Sequence, residues 1–334
     1  MTRSADEGTT PLVLGEERVR ELLGMAELLP VMERALAALS RGEVVQPVRT
    51  VLPVAEHQGF LGLMPAYVAR GTGAERAAGG ALGAKLVTFY PGNRGAPTHH
   101  AVVLLFRPET GEPLAIMDGR LITEMRTAAV SAIATRLLAR PDAGVLGILG
   151  AGVQARSHLE ALRLVRAFHD VRVWSPRSAR AFAAELGVRA VGSAEEAVRG
   201  ADVVVTATTA TTPVLRGAWL SPGAHVNAVG AVRPEWRELD DDLLGAARIF
   251  VESREAATVE AGDVIAARAP VTEVGEVLAG RRPGRATPEE ITLFKSVGVA
   301  VEDVATAELV YRKASREGAA EGARGARTLG QRGG

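Results

Sequence analysis

Three basic side chains stand where their neighbours argue against simple solvation: Lys85 in Ala84-Lys85-Leu86-Val87-Thr88-Phe89, Arg49 in Pro47-Val48-Arg49-Thr50-Val51, and Arg126 in Glu124-Met125-Arg126-Thr127-Ala128-Ala129. Strand alternation puts Lys85 on the same face as Val87 and Phe89. Burial there would lower its pKa and suit it to proton transfer or to binding a carboxylate; the alternative is an edge lysine whose stem lies on apolar surface while its ammonium reaches water. Arg49 and Arg126 can each grip a carboxylate through two parallel N–H groups, or serve as structural ion-pair partners. His99 and His100 are neighbours on a strand-like segment and must point to opposite faces, so they cannot chelate one ion together and no metal is expected. One of them, with Thr98, is a candidate cofactor or substrate contact.

The run from Gly147 to Ala155 follows an apolar β-like stretch and opens a helix-like one. In Gly150-x-Gly152-x-x-Ala155 the first glycine permits a tight turn, the second lets a pyrophosphate approach the backbone, and the small third residue lets helix and strand pack closely. The free N–H groups of the helix start, Val153 and Gln154 included, would face the phosphates. A site preferring NAD usually carries Asp or Glu at the end of the next strand, where this chain has Val173-Trp174-Ser175-Pro176-Arg177-Ser178-Ala179-Arg180. Asp170 lies at the wrong end of that strand. Ser175, Arg177 and Arg180 can bind a 2′-phosphate, which favours NADP(H) over NAD(H); if both arginines are merely solvated, the preference is loose.

The elements that must position these groups fall into two sets. Helical spacing covers Glu21 to Ser40, with a kink expected at Pro30, and β-rich segments follow at Val48–Val54, Gly59–Pro65, Gly83–Tyr90, Ala101–Arg107 and Pro113–Met117. This is an α+β pattern with an antiparallel sheet, closed by a helix over Ile122–Ala139. Beyond it strand and helix alternate. Val145–Leu149, Val171–Trp174, Val203–Thr206, His225–Val229 and Ile249–Val251 read as buried parallel strands, with helices starting near Val153, Ser178, Ala194 and Asp240. A last strand at Ile291–Lys295 and a helix over Val299–Arg316 complete a Rossmann-type doubly wound α/β domain and a return to the first unit.

The 334 residues therefore divide into a substrate-binding domain (1–123 with 300–320), whose part in dimerisation is implied by the resemblance given below, a dinucleotide domain (124–299) and a poorly ordered tail (321–334). With 39 basic and 39 acidic residues there is no global field to draw the chain onto nucleic acid or an anionic membrane, and no apolar run is long enough to span one. The absence of cysteine fits a reducing compartment such as the cytoplasm.

Several stretches together resemble the ornithine cyclodeaminase/mu-crystallin family: Pro47-Val48-Arg49, Lys85 to Tyr90, Met117-Asp118-Gly119, Arg126 to Ala129, Gly150 to Ala155, Asn227 to Ala231, Gly275-Glu276-Val277 and Phe294 to Gly298. The resemblance runs from near Leu12 to near Ser315. It implies a homodimer joined through the first-domain sheets and an active site between the domains. It also implies substrate-binding roles for Arg49, Lys85 and Arg126, and cofactor contacts at Arg126, Thr127 and the turn Gly150 to Gln154. Thr98, His99, Thr206 and Ser296 are further cofactor-side positions.

One departure separates activities within the family. Cyclodeaminases carry an aspartate two residues beyond the glycine that ends the Val226–Gly230 strand; here that position is Val232, on the cofactor side of the site, which cannot exchange a proton. The segment Gly230 to Asp240 instead resembles the mu-crystallin branch, which includes ketimine reductases using NADPH. The expectation is reduction of the C=N bond of a small, cyclic α-imino acid to an amino acid. The alternatives are a cyclodeaminase, an alanine-dehydrogenase-like amino-acid oxidoreductase, and an NADPH-dependent ligand-binding protein.

Overall fold

Residues that alternate between an apolar and a mixed face build the first sheet, in a computed structural model that describes residues 10–69 and 80–330, with side chains through residue 319. Its strands are β1 (Leu12–Leu14), β2 (Val44–Val45), β3 (Thr50–Val54), β4 (Gly59–Val68), β5 (Ala81–Phe89), β6 (His99–Phe106) and β7 (Pro113–Asp118). The order is β1-β7-β6-β5-β4-β2, with β3 also paired to β4. Strands β4 to β7 form an antiparallel meander, and β1 joins β7 in parallel. Register aligns Met64, Lys85, Val103, Met117 and Leu14 in one row across the sheet, and all five are buried. The opposite face keeps Val13, Leu63, Val102 and Ile116 exposed.

Helices α1 (Glu16–Leu22), α2 (Met25–Ser40), α3 (Gly119–Leu138) and α11 (Ala300–Gly330) gather on the apolar side. Asp118 caps α3 by accepting from the Leu121 amide. This helix packs on β6, and also on β12 (His225–Ala228) and α4 (Val153–Arg163) of the second unit. It thus contacts both sheets.

The second sheet is parallel throughout, adding β8 (Val145–Leu149), β9 (Asp170–Trp174), β10 (Arg189–Ala190), β11 (Val203–Thr206), β13 (Ala247–Val251), β14 (Val271–Glu273) and β15 (Ile291–Lys295). The order is β10-β9-β8-β11-β12-β15-β13-β14. The chain direction of winding reverses between β8 and β11, the place where doubly wound sheets bind ligands at strand C-termini. Helices α5 (Ala179–Leu186), α6 (Ala194–Val198), α7 (Asp241–Ala246), α8 (Arg254–Glu260), α9 (Gly262–Ala267) and α10 (Val274–Leu278) complete the unit. Ser193, Asp240 and Ser253 cap α6, α7 and α8 through their side chains.

The fold departs from the sequence expectations in several places. The helix expected over Glu21–Ser40 is two helices broken at Leu23-Gly24, where Gly24 is extended; Pro30 sits inside α2, whose packing on α3, α10 and α11 carries it past the lost hydrogen bond. Arg49 lies just before β3, and β6 begins at His99. The short strands β1, β2, β10 and β14 and the helices α8 to α10 are too brief to show a period. Helix α11 runs through Gly330 and not to Arg316. Residues 331–334 lie outside the described ones.

Candidate active site

Lys85 projects from the middle of β5 into the space under α3 and α11, with only 2% of its surface exposed. Its Nζ lies 2.8 Å from Asp303 Oδ2 and donates to Thr123 Oγ1 at 3.3 Å. Burial pushes this ammonium down to about 7, the neighbouring Arg126 charge adds to the shift, and Asp303 opposes it. The alternative of a solvated edge lysine is therefore removed.

Arg126 extends from α3, one turn after Thr123. It too is buried, and it donates from Nε to Asp303 Oδ1 at 3.0 Å and from Nη1 to Glu302 Oε2 at 2.7 Å. Arg49 donates from Nε to Glu260 Oε1 at 2.8 Å, and from Nη2 to the Gly298 carbonyl at 2.9 Å and to the Val297 carbonyl. Both arginines thus take up the ion-pair role that stood beside carboxylate binding as an expectation. Each arginine spends two of its three nitrogens on the protein itself, and Arg49 Nη1 and Arg126 Nη2 are the donors left without a hydrogen bond among the described residues.

The turn Ser296 to Val299, between β15 and α11, closes the basic corner. Glu252 accepts from Ser296 Oγ, Val297 N and Gly298 N, while Glu302 accepts from Val299 N. Gly298 adopts φ +70°, and a Cβ there would stand 2.3 Å from Arg126 Nη1. Only glycine lets the guanidinium lie against this backbone.

Arg49, Lys85, Arg126 and the turn Ser296 to Gly298 share a cavity of about 190 Å³ whose other wall is aromatic, and the carboxylates lie behind them. Phe60 and Phe89 pack with ring centroids 5.7 Å apart, and Trp236 meets Phe89 edge-on at 6.4 Å. Arg233 lies over Phe60 at 4.5 Å and Trp236 at 5.3 Å, so the loop after β12 closes onto the first sheet. From below, Glu238 anchors that loop by accepting from Thr206 Oγ1, the Thr208 amide and hydroxyl, and Gly230 N. Val232 lines the cavity.

Of the cofactor-side candidates, His99, Thr127, Gln154, Val232 and Ser296 line this same cavity. His99 faces inward and His100 outward, as alternation requires. Burial first, and then the Lys85 and Arg126 charges, push the His99 imidazole down to about 4, so it is neutral at pH 7. Gly150 holds φ +116°, and a Cβ there would strike the Ala207 carbonyl at 2.3 Å. Gly152 starts α4 with no capping side chain, and nothing lies within 4 Å of where its Cβ would be. With Val153 exposed beside it, this bare helix start fits a pyrophosphate. Ser175 and Arg177 follow β9 at the adjacent strand end, where Arg177 is exposed. Thr98 is exposed just before β6, outside the cavity lining. Thr206 is a correction: its side chain is fully buried and spent on Glu238, because the last residue of this buried strand turns toward the loop anchor.

Sequence reasoning missed the carboxylates Glu252, Glu260, Glu302 and Asp303. A signal existed for two of them, since Glu302-Asp303 interrupts the apolar run Val297 to Val304 at the start of a helix.

A family model described as the ornithine cyclodeaminase/mu-crystallin family matches residues 9–318. Ketimine reductase mu-crystallin of Mus musculus is 52% identical over 312 residues, covering 90% of this chain and 96% of the relative. The Thermococcus litoralis Delta(1)-pyrroline-2-carboxylate reductase, solved with NADH and L-proline, superposes with a TM-score of 0.85 at 39% identity, over 92% of this chain and 98% of that one. An archaeal alanine dehydrogenase dimer with bound NAD gives 0.85 at 36% identity, over 92% and 97%.

Proposed function

The chain belongs to the ornithine cyclodeaminase/mu-crystallin family, and we infer from that premise that it is an NAD(P)-dependent oxidoreductase reducing the C=N bond of a small α-imino acid, cyclic ketimines included, to the amino acid. The observation that carries this reading is the basic corner itself: Lys85 beside Asp303, with one unspent donor on each of Arg49 and Arg126, facing a cavity in which Val232 supplies no acid.

The substrate carboxylate is taken by Arg49 Nη1 and Arg126 Nη2, and Lys85 Nζ gives a proton to the imine nitrogen. A bound dinucleotide supplies the hydride that adds to the imine carbon, so the proton and the hydride together saturate the C=N bond. The buried cations and the aromatic wall exclude water and hold the imine in a reactive orientation. Gly150, Gly152, Val153 and Gln154 would hold the pyrophosphate side of a bound dinucleotide, and His99, Thr127 and Ser296 would face its nicotinamide. For the 2′-position, Ser175 and Arg177, with no carboxylate at that strand end, support NADP(H) over NAD(H).

The first sheet with the start of α11 serves as the substrate-binding and dimerisation unit, and 124–299 as the dinucleotide unit. The apolar outward strip Val13, Leu63, Val102 and Ile116 supports a homodimer formed sheet to sheet. No helix among the described residues is long and apolar enough to cross a membrane, and the lack of cysteine supports a cytoplasmic enzyme.

Oxidation of NADPH and NADH, followed by absorbance against five- and six-membered cyclic imino acids and their acyclic counterparts, tests the reading. Turnover with a cyclic imino acid is expected. Tight dinucleotide binding with no turnover on any of them refutes it.

A further inference from the structure

We propose that Glu302 is held as a neutral carboxylic acid, a positioning residue whose proton keeps the buried cluster from opposing the substrate's carboxylate with net negative charge. The charge state rests on the cluster alone; its purpose rests on the imino-acid reading above.

The basic corner contains three cations, Arg49, Lys85 and Arg126, and four carboxylates, Glu252, Glu260, Glu302 and Asp303. Were all of them ionised, an anionic substrate would enter a cavity backed by excess buried negative charge. Ionising all four leaves one negative charge in excess, and buried oxygens without a hydrogen bond occur on Asp303, Glu260 and Glu302. Glu260 keeps 8% of its surface exposed and is paired with Arg49, whereas Glu302 is fully buried. Asp303 meets Arg126 through Oδ1 and Lys85 through Oδ2, so both its oxygens face cations. Glu252 has donors on both oxygens. Glu302 is fully buried, and both of its donors, Arg126 Nη1 at 2.7 Å and Val299 N at 3.4 Å, go to Oε2. Its Oε1 is buried with no partner. A bare anionic oxygen in that position is the costliest arrangement available, and a proton on it removes the cost.

The charged groups facing Glu302 are Arg126 on α3, Lys85 on β5, Glu252 after β13 and Asp303 on its own helix. Burial pushes the carboxyl up to about 8; Arg126 opposes the shift, and Glu252 and Asp303 add to it. Glu302 is thus protonated at neutral pH and ionises in the mildly alkaline range, where the cluster gains a negative charge.

The full-length protein, labelled with carbon-13 at the glutamate side-chain carboxyls, is titrated by NMR from about pH 6 to about pH 10. One resonance moving with a midpoint near 8, absent in Glu302→Gln, is expected. If no glutamate carboxyl titrates above neutrality, or if the titrating one persists in Glu302→Gln, the inference is overturned. The first of these outcomes needs no variant to fold. In parallel, kcat/KM on a cyclic imino acid is measured for both proteins, and the ratio of Glu302→Gln to wild type should rise about tenfold from pH 7 to pH 9.5, because only wild type gains the charge. Because Glu302 faces Lys85, the Lys85 limb is fitted separately in each protein before the ratio is taken. A flat ratio refutes the purpose assigned to the proton. Imino-acid turnover without the titration overturns this inference alone, while the titration without turnover overturns the substrate reading and the purpose with it.

Discussion

Replacing Gly298 by alanine should disable the enzyme by moving a side chain that alanine never replaces. The residue adopts φ +70°, where an L-residue pays roughly 1–2 kcal/mol for its Cβ. That Cβ would lie 2.3 Å from Arg126 Nη1, 2.7 Å from Nη2 and 2.9 Å from Cζ, so the guanidinium must leave. Its departure breaks the bonds to Asp303 and Glu302 and strands buried charge, a loss of about 3–5 kcal/mol for such pairs. Partial relaxation should recover some of this, so urea unfolding is expected to show a destabilisation of about 3–5 kcal/mol. Without the Arg126 Nη2 donor, kcat/KM for imine reduction should fall about 100-fold to 1000-fold, equivalent to about 3–4 kcal/mol. The paired control is Gly152→Ala, where φ is −94° and nothing lies within 4 Å of the new Cβ. That variant should keep wild-type stability and lose affinity for dinucleotide, measured by fluorescence titration. A Gly298→Ala protein with wild-type stability and wild-type kcat/KM would show that Arg126 does not act from where it is placed.

Because Lys85 donates as a cation and its ammonium is pushed down to about 7, kcat/KM for reduction should decline as pH rises through that value. Asp303→Asn removes a contact that holds the proton on Lys85, so its alkaline limb should move to lower pH; a limb that stays in place would exclude Lys85 as the donor. Val232→Asp restores a proton-exchanging group to the cavity, and release of ammonia from ornithine by the variant is expected; a folded variant that releases none removes the significance given to this position. Arg177→Ala should lower the ratio of kcat/KM for NADPH to that for NADH about tenfold, and an unchanged ratio would place the 2′-phosphate elsewhere. Val102→Asp, in the exposed apolar strip of the first sheet, should shift the sedimenting species from dimer to monomer, whereas an unaltered dimer would locate the interface on another face.

What could be read from the sequence divides along the distance over which each contact acts. The face of Lys85 was legible because alternation is local: two residues either way it shares a face with Gly83 and Val87, while the burial that excludes an edge lysine came only with the fold. Gly150 was legible because its turn needs a positive φ within a strand-turn-helix unit spanning a few residues. Thr206 was misjudged, since in a fully buried parallel strand both faces are apolar and no alternation marks which way the last side chain turns. The arginines show the deeper limit. Their types and neighbours announced binding of a carboxylate, and carboxylates do bind them, but Asp303, Glu302 and Glu260 come from segments more than 170 residues away in the chain. Whether an arginine offers two donors or one to a substrate depends on how many the protein has already used, and that number exists only once α11 has returned to the first sheet. The same return creates the surplus carboxylate. Glu302 on a helix surface would be an ordinary charged residue; brought against Arg126 beside Asp303 and Glu252, it sits where its own charge has become the unfavourable state.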